Sequence, residues 1–278
     1  AHVAAVQAGG LRLRLPEGER RVAVRAASDA SALGVMDLVI VLVKSFHTGT
    51  AIEAARHLVG SDTVVMSLQN GLGHEDILAE VVGRERVMAG KTYVGGVLLA
   101  PGVVLAGYAG KETLIGELDG TLSARAHAIA AAFEAAGLAL TLSDNIVGTM
   151  WDKLLVNVAT GALSGLSGLP YGELYRVPEI EACAIGAVAE AMAVAQACGV
   201  RLATRAPRDA WLKAAAGLSP DFKTSMLQSL EKGSVTEIDY INGAVVRWGQ
   251  RCGVPTPINQ TLVAAIKGIE RRLLSSAS

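Results

Sequence analysis

The sequence is poor in aromatic residues and in cysteine, and each shortage argues against a class of protein. Aromatic side chains make up 4% of the 278 residues, which favours close-packed helices and buried parallel strands over an aromatic-rich β-sandwich. The three cysteines have no C-x-x-C spacing, so neither a disulfide framework nor a zinc site is predicted. We therefore expect Cys183, Cys198 and Cys252 to be buried free thiols in a reducing compartment, the cytoplasm.

A surplus of one charge, a membrane-spanning run and several catalytic motifs are also missing. The net charge is -1, from 25 basic and 26 acidic residues, so no nucleic-acid or membrane-surface partner is expected. No uninterrupted apolar run is long enough to predict a transmembrane helix, and no signal peptide is recognised. The histidines lack H-x-x-x-H or H-E-x-x-H spacing and no G-x-S-x-G is present, so neither a metal site nor a serine hydrolase is predicted.

The sequence is rich in apolar residues, and their pattern predicts alternating strands and helices. Hydrophobic residues make up 51% of the chain and charged residues 18%, enough for a large core. Two continuous β-branched runs, 37–44 and 63–68, are each followed by a helical pattern, which indicates βαβ units and a parallel sheet. Lys44 and Asn70 then lie at the carboxyl edge of that sheet, where ligands bind in open α/β folds.

The chain changes character after Ser143. Its apolar periodicity predicts helices throughout the remainder, at about 145–160, 177–198, 205–215, 223–232, 236–252 and 259–274. The pattern therefore predicts an α/β domain over residues 1–143 followed by an all-helical domain over residues 144–278.

Five polar residues could carry chemistry, and each also has an ordinary structural explanation. Lys153 and Asn157 are four residues apart and share one helix face, although a lone lysine there can simply reach solvent. Asn70 stands where a strand turns into a helix and backbone N–H groups favour anions, yet Asn-Gly is also a common turn pair. Ser225 could be only a helix cap. Glu237 lies in the first turn of its predicted helix, where a carboxylate is electrostatically stabilised.

Taken in order, the motifs of the chain resemble those of the ketopantoate reductase family. They are Val41-Leu42-Val43-Lys44, Gln69-Asn70-Gly71-Leu72-Gly73, Lys153-x-x-x-Asn157, Ser225-Met226-Leu227-Gln228 and Thr236-Glu237-Ile238-Asp239-Tyr240-Ile241-Asn242-Gly243. The last motif is the most specific, and the resemblance covers nearly the whole chain.

This resemblance implies a fold, an activity and a set of site residues. The fold is a Rossmann-type N-terminal domain that binds NADP and an all-helical C-terminal domain, with substrate in the cleft between them. The activity is NADPH-dependent reduction of 2-dehydropantoate (ketopantoate) to pantoate, in pantothenate and coenzyme A biosynthesis. Lys153 is the implied general acid and Glu237 the carboxylate that orients substrate or lysine. Asn157, Ser225 and Asn70 are the implied substrate ligands, and Lys44, Asn70 and Glu237 the residues beside the cofactor.

Two departures from the family pattern leave alternatives open. The G-x-G-x-x-G loop is not in this sequence, so we expect the family's first strand and glycine-rich loop, the first βα unit, to precede Ala1. Gly161 stands where the family often has a further asparagine, which leaves open a different 2-keto acid substrate. A related dehydrogenase of the 3-hydroxyacid type is a separate alternative. A non-catalytic protein that binds a nucleotide or metabolite on the same fold is the other alternative. The expected partners are a small 2-keto acid and, in a homodimer, a second copy of the chain.

Overall fold

A computed structural model of the chain describes residues 1–107 and 110–276, which form two compact units. The sheet unit comprises Ala1–Val43, His47–Leu68 and Glu75–Ile146. The helical unit comprises Lys44–Phe46, Gln69–His74 and the residues from Val147 onward. Two short segments from the first half of the chain therefore belong to the helical unit. The boundary at residues 143/144 stays a prediction as a functional division.

The sheet unit contains two sheets and the first four α-helices. Its described strands are β1 (Leu11–Leu15), β2 (Gly18–Val22), β3 (Met36–Val41), β4 (Val59–Ser67), β5 (Val87–Thr92), β6 (Gly95–Ala100), β7 (Val103–Gly107), β8 (Thr113–Gly116) and β9 (Leu140–Leu142). Its helices are α1 (His2–Gly9), α2 (Thr48–Ala54), α3 (His74–Val82) and α4 (Ala124–Ala135).

The main sheet has the strand order β3-β4-β5-β8-β9 within the described residues. Strands β3, β4 and β5 are parallel, as the βαβ pattern predicts, and β8 runs antiparallel to β5. The smaller sheet has the order β2-β1-β7-β6. Strand β3 ends at Val41 rather than at the predicted Lys44. Lys44 consequently lies in the loop that follows the strand.

Strand β4 shows why a continuous apolar run forms the middle of this sheet. Val64 and Met66 face a cluster that includes Ile129 of α4, while Val65 on the opposite face packs with Ile52 of α2. Since both faces are covered, both sets of alternating side chains are apolar. The predicted α/β domain is confirmed in this sheet.

One acidic side chain of the sheet unit is buried without full compensation. Glu75, in the first turn of α3, is 7% exposed, and its Oε1 has no hydrogen-bond partner among the described residues. Burial raises the pKa of this carboxyl group to about 7. The neutral form is therefore strongly favoured relative to an exposed glutamate.

The helical unit confirms the all-helical second region. The helices of its described part are α5 (Ile146–Ser167), α6 (Tyr171–Leu174), α7 (Pro178–Ala197), α8 (Pro207–Ala215), α9 (Ser225–Glu231), α10 (Asn242–Cys252) and α11 (Pro257–Ser276). Helix α7 packs against α8, α10 and α11. It is also the one helix of the described chain with the length and hydropathy of a membrane span, 20 residues with a mean hydropathy of 1.4.

The prediction of three free thiols is wrong for two of the cysteines. Cys198, directly after α7, forms a disulfide with Cys252, the last residue of α10, and their Cα atoms are 6.0 Å apart. The packing of α7 on α10 brings together two residues separated by 54 positions in sequence, which spacing alone does not reveal. Cys183 is a free thiol. Cysteine usage therefore no longer supports the prediction of a reducing compartment.

Candidate active site

The carboxylate of Glu237 is the centre of a polar cluster in the helical unit. Its Oε1 accepts hydrogen bonds from the backbone N–H of Ser45 at 3.1 Å and from the Ser45 hydroxyl at 2.6 Å. Its Oε2 lies 3.7 Å from the ammonium nitrogen of Lys44. The Ser45 hydroxyl oxygen is also 3.3 Å from the backbone oxygen of Asn70. The structure thus brings three of the predicted site residues together: Lys44, Asn70 and Glu237.

The members of this cluster come from three distant parts of the chain. Lys44 and Ser45 follow strand β3, Asn70 follows strand β4, and Glu237 lies between α9 and α10. Because β3 and β4 are parallel neighbours, the loops after them leave the sheet at the same edge. Parallel pairing therefore explains why Lys44 and Asn70 are close together.

A second set of contacts joins the loop after β4 to the segment that carries Glu237. The N–H of Leu72 donates to the backbone oxygen of Tyr240 at 3.0 Å. Gly71 has a φ of 98°, and a Cβ atom there would lie 2.5 Å from the same oxygen, so only glycine fits without displacement. The ring of His74 stacks on Tyr240 with centroids 5.0 Å apart.

His74 is buried, and its environment favours the neutral imidazole. Burial lowers the pKa of His74 to about 4, although the negative charge of Glu237 opposes the effect and Arg247 adds to it. Neither ring nitrogen has a hydrogen-bond partner among the described residues. The ring is therefore uncharged at neutral pH and serves as a stacking surface for Tyr240.

The segment around Glu237 differs from the continuous helix predicted over residues 236–252. Glu237 precedes a 3-10 turn, Ile238–Tyr240, and α10 begins only at Asn242. Ile241, with φ −106° and ψ −96°, separates the two elements. Before the turn, Glu270 of α11 accepts the N–H and the hydroxyl of Thr236, both at 2.7 Å. The prediction that Glu237 lies in the first turn of a long helix is thus wrong.

Lys267 of α11 strengthens this anchor. It contacts the carboxylate of Asp239 and lies 3.2 Å from Glu270. Burial lowers the pKa of Lys267, but the hydrogen bonds and charges of Asp239 and Glu270 outweigh that effect and raise it. The 236–240 segment is therefore held to α11 by hydrogen bonds to the Glu270 carboxylate and by the Lys267–Asp239 ion pair.

Lys153, Asn157 and Gly161 lie along one face of α5. Lys153 and Asn157 are half-buried, while the residues between them include Leu154 and Leu155 of the core. The neighbouring Asp152 fixes the helix because its carboxylate accepts the N–H groups of residues 203 and 204, each at 2.9 Å.

Ser225 is the first residue of α9, but the residue that caps the helix is Thr224. The Thr224 hydroxyl caps the helix by accepting the N–H of Leu227 at 3.2 Å, while Ser225 itself is exposed. The next residue, Met226, packs against α5: its methyl carbon lies 3.5 Å from where a Cβ of Gly161 would be. The meeting of Lys153, Asn157 and Ser225 with Glu237 stays a prediction.

Sequence reasoning missed two residues of this cluster, Ser45 and Tyr240. Ser45 directly follows Lys44, and Tyr240 stands inside the motif that identified Glu237, so both were visible as neighbours of predicted site residues. A serine in a loop and a tyrosine in a supposed helix carry no periodic signal. Their role depends on contacts between segments that are far apart in sequence.

The fold and this cluster together define a class of protein. Its α/β domain has a mostly parallel sheet, a helical region follows, and a lysine after strand β3 pairs with a glutamate of the helical region. Models of the family described as "Ketopantoate reductase PanE/ApbA" match residues 1–120, and those of its C-terminal region match residues 145–270. The chain belongs to the ketopantoate reductase family.

Named relatives and solved structures agree with this assignment. The chain is 36% identical to the 2-dehydropantoate 2-reductase of Halobacterium salinarum over 97% of its own length and 88% of that protein's. It is 33% identical to the enzyme of the same name from Archaeoglobus fulgidus, over 85% and 78%. Both are oxidoreductases by name.

Two solved structures are similar over almost the whole chain. The PanE/ApbA family ketopantoate reductase of Ralstonia eutropha is 36% identical, with a TM-score of 0.89, covering 98% of this chain and 89% of that one. D-mandelate dehydrogenase, solved with NADH and anilino(oxo)acetate, is 27% identical, with a TM-score of 0.87, covering 98% and 88%. The fold is therefore shared by enzymes whose names give different substrates.

Proposed function

We propose that the protein reduces 2-dehydropantoate to pantoate with NADPH, a step of pantothenate and coenzyme A biosynthesis. The observation that carries the proposal is the Glu237 carboxylate, held by Ser45 and paired with Lys44 beside Asn70. These residues fall on the motifs that relate the chain to reductases of that name. Cytoplasmic location and a homodimer are part of the same proposal.

The residue types of the cluster complement a nicotinamide cofactor. The carboxamide of nicotinamide presents one acceptor oxygen and an N–H donor group, and the side chains of an asparagine and a glutamate, the residue types at positions 70 and 237, have an amide donor and a carboxylate acceptor that complement them. Lys44, whose side chain is 53% exposed, is a cation within reach of anionic parts of a nucleotide. We assign Lys44, Asn70 and Glu237 to cofactor binding on this complementarity. When bound, the nicotinamide supplies a hydride to the carbonyl carbon of a 2-keto acid.

The protein's own residues then handle charge and orientation. Lys153 is the proposed general acid: its ammonium group stabilises the negative charge that develops on the carbonyl oxygen and donates a proton to it. Asn157 and Ser225 hold the carboxylate and hydroxyl groups of the substrate through neutral donors. Glu237, near the substrate, orients the substrate or the ammonium group of Lys153.

A second candidate is a reductase of a different 2-keto acid. Gly161 leaves its position on α5 without a side chain, and the methyl group of Met226 is the nearest neighbour of that position. The contact seen at this end of the face that carries Lys153 and Asn157 is therefore apolar. A substrate with an apolar substituent, as in the phenyl-substituted acid of D-mandelate dehydrogenase, suits it better than one that needs a further amide.

One set of assays distinguishes these candidates. We expect the full-length protein to oxidise NADPH in the presence of ketopantoate. With ketopantoate, kcat/KM should be higher for NADPH than for NADH. With NADPH, kcat/KM should be higher for ketopantoate than for phenylglyoxylate. A preference for phenylglyoxylate would favour the second candidate, and a preference for NADH would refute the cofactor assignment. Binding of NADPH without oxidation by either acid would favour the non-catalytic alternative.

A further inference from the structure

We propose that Ser45 is a positioning residue for Glu237: its two donors hold Oε1 and thereby turn Oε2 towards Lys44 and the reacting ligands. The inference rests on the proposed function, in which Glu237 orients the substrate or the general acid. Neither the family motifs nor the predicted site residues include Ser45. It acts through Glu237 and needs no contact with substrate.

The geometry at Oε1 is that of a fully engaged carboxylate oxygen. Ser45 is completely buried, and both its N–H (3.1 Å) and its hydroxyl (2.6 Å) reach Oε1. A hydroxyl has one proton to donate, so the short contact to Oε1 takes it in preference to the backbone oxygen of Asn70 at 3.3 Å. Hydrogen bonds to an ionised acceptor are the stronger class.

The contact at Oε2 is of a different kind. The ammonium nitrogen of Lys44 is 3.7 Å from it, longer than a hydrogen bond, and the Lys44 side chain is 53% exposed. Ion pairs of exposed lysines contribute little because solvent screens them and the side chain loses entropy. Ser45 rather than Lys44 is therefore the residue that fixes the direction of the carboxylate.

The backbone on either side of Glu237 is already anchored. Thr236 is bound to Glu270, and the backbone oxygen of Tyr240 is bound to Leu72. What these anchors leave undetermined is the side-chain rotamer of Glu237. The two donors of Ser45 select one rotamer, which is the property that orientation of a substrate or of Lys153 requires.

A double-mutant cycle tests this role. Ser45→Ala removes the hydroxyl and keeps the N–H, and Ser45→Thr keeps both. Ser164→Ala is the matched control, because Ser164 is equally buried and, within the described part of the chain, its hydroxyl donates to the local backbone oxygen of Leu169 at 2.8 Å. Each substitution is made in the wild-type protein and in the Glu237→Ala variant, and kcat, KM and thermal stability are measured with NADPH and ketopantoate or phenylglyoxylate.

We expect Ser45→Ala to lower kcat about tenfold, the scale of one charge-assisted hydrogen bond, with a smaller change in KM. Ser45→Thr should recover most of that loss, and Ser164→Ala should leave kcat unchanged. In the Glu237→Ala background, Ser45→Ala should change kcat by less than about twofold, because its effect passes through the missing carboxylate. An equal loss in both backgrounds overturns the inference.

Crystal structures supply a readout that does not depend on turnover. The wild-type protein should have one Glu237 rotamer, and Ser45→Ala should have a shifted or a divided one. An unchanged single rotamer in Ser45→Ala contradicts the positioning role. If the wild-type protein oxidises NADPH with neither acid, the proposed function fails and the inference with it; if it does and Ser45→Ala is fully active, the inference fails alone.

Discussion

Strand β4 is buried in its second half and the 236–240 segment is partly buried, and the two differ in the interactions that hold them. In β4, residues 64–66 are at most 4% exposed and are surrounded by apolar side chains on both faces. The 236–240 segment is held by directional contacts, from Thr236 to Glu270, from Glu237 to Ser45 and from Tyr240 to Leu72. Apolar packing depends on volume and tolerates similar shapes, whereas a hydrogen-bonded segment depends on particular partners. Strand β4 thus maintains the fold, whereas the contacts of the 236–240 segment orient the carboxylate of Glu237.

The contrast between residues that maintain the fold and residues that serve the reaction predicts the largest effect at Lys153, which we propose acts in the chemistry. Lys153→Ala should lower kcat by roughly 10²–10⁴-fold, the range of lost general acid catalysis. The melting temperature should hardly change, because a half-buried lysine contributes little to stability. Lys213→Ala, an exposed lysine of α8, is the control and should leave kcat unaffected. If Lys153→Ala keeps more than about a tenth of the wild-type kcat, the assignment is wrong.

The disulfide adds a covalent constraint to the helical unit that the sheet unit lacks in its described residues. Cys198→Ser should lower the free energy of unfolding by roughly 2–4 kcal/mol, as expected for a loop of this size. Reducing agent should lower the melting temperature of the wild-type protein to a similar degree. Alkylation of the denatured, unreduced protein should modify only Cys183. Three modified cysteines would contradict the disulfide, and Cys183→Ser is the control that should leave stability nearly unchanged.

Glu75 is the polar exception within the sheet unit, and its burial should make stability depend on pH. A carboxyl group whose pKa is raised in the folded state stabilises the protein below the unfolded pKa, and this stability is lost as pH rises through the folded pKa. The window therefore runs from 4.5, the ordinary value, to about 7, and the difference corresponds to roughly 3 kcal/mol.

The test of this window is a pair of neutral substitutions on α3. Glu75→Gln should be more stable than the wild-type protein at pH 8 and lose that advantage as pH falls towards 4.5. Glu80→Gln, an exposed residue of the same helix, should show no such trend. Parallel stability curves for wild type and Glu75→Gln across the window would refute the prediction.

Gly71 lies where the loop after β4 comes close to the backbone of Tyr240. Gly71→Ala should lower stability by about 1–3 kcal/mol, because alanine is strained at its φ and its Cβ would meet the backbone oxygen of Tyr240. Gly217 also has a positive φ, of 73°, but open space around its Cβ position. Gly217→Ala should therefore cost less in thermal melts. Equal losses at the two positions would contradict the close approach.

The sequence predicts the sheet better than it predicts the site. The runs at 37–44 and 63–68 reveal buried parallel strands, because apolar packing on two faces leaves a local pattern. The parallel pairing of β3 and β4 also predicts correctly that Lys44 and Asn70 lie at one edge. The disulfide of Cys198 and Cys252 was not predictable, since the two residues are 54 positions apart. The break of the helix at Ile241 was also missed.

Within the site, the motif around Glu237 pointed to a residue of the observed polar cluster, but its predicted place in a helix is wrong. The sequence places it in a first helical turn, whereas tertiary hydrogen bonds to Glu270 and Leu72 hold it just before a 3-10 turn. Ser45 carries no motif signal because its function depends on a single carboxylate 192 positions later. Directional contacts of this kind become visible only in three dimensions.

The coupling of Lys153 and Glu237 tests the central claim, that residues far apart in sequence act as one catalytic unit. The measurement is kcat/KM for NADPH-dependent reduction of ketopantoate by the wild-type protein, Lys153→Ala, Glu237→Ala and the double variant. If Glu237 orients the ammonium group or the substrate for proton transfer, the loss in the double variant should be far smaller than the product of the two single losses. A double variant whose loss equals that product would show that the two residues act independently and would contradict the account.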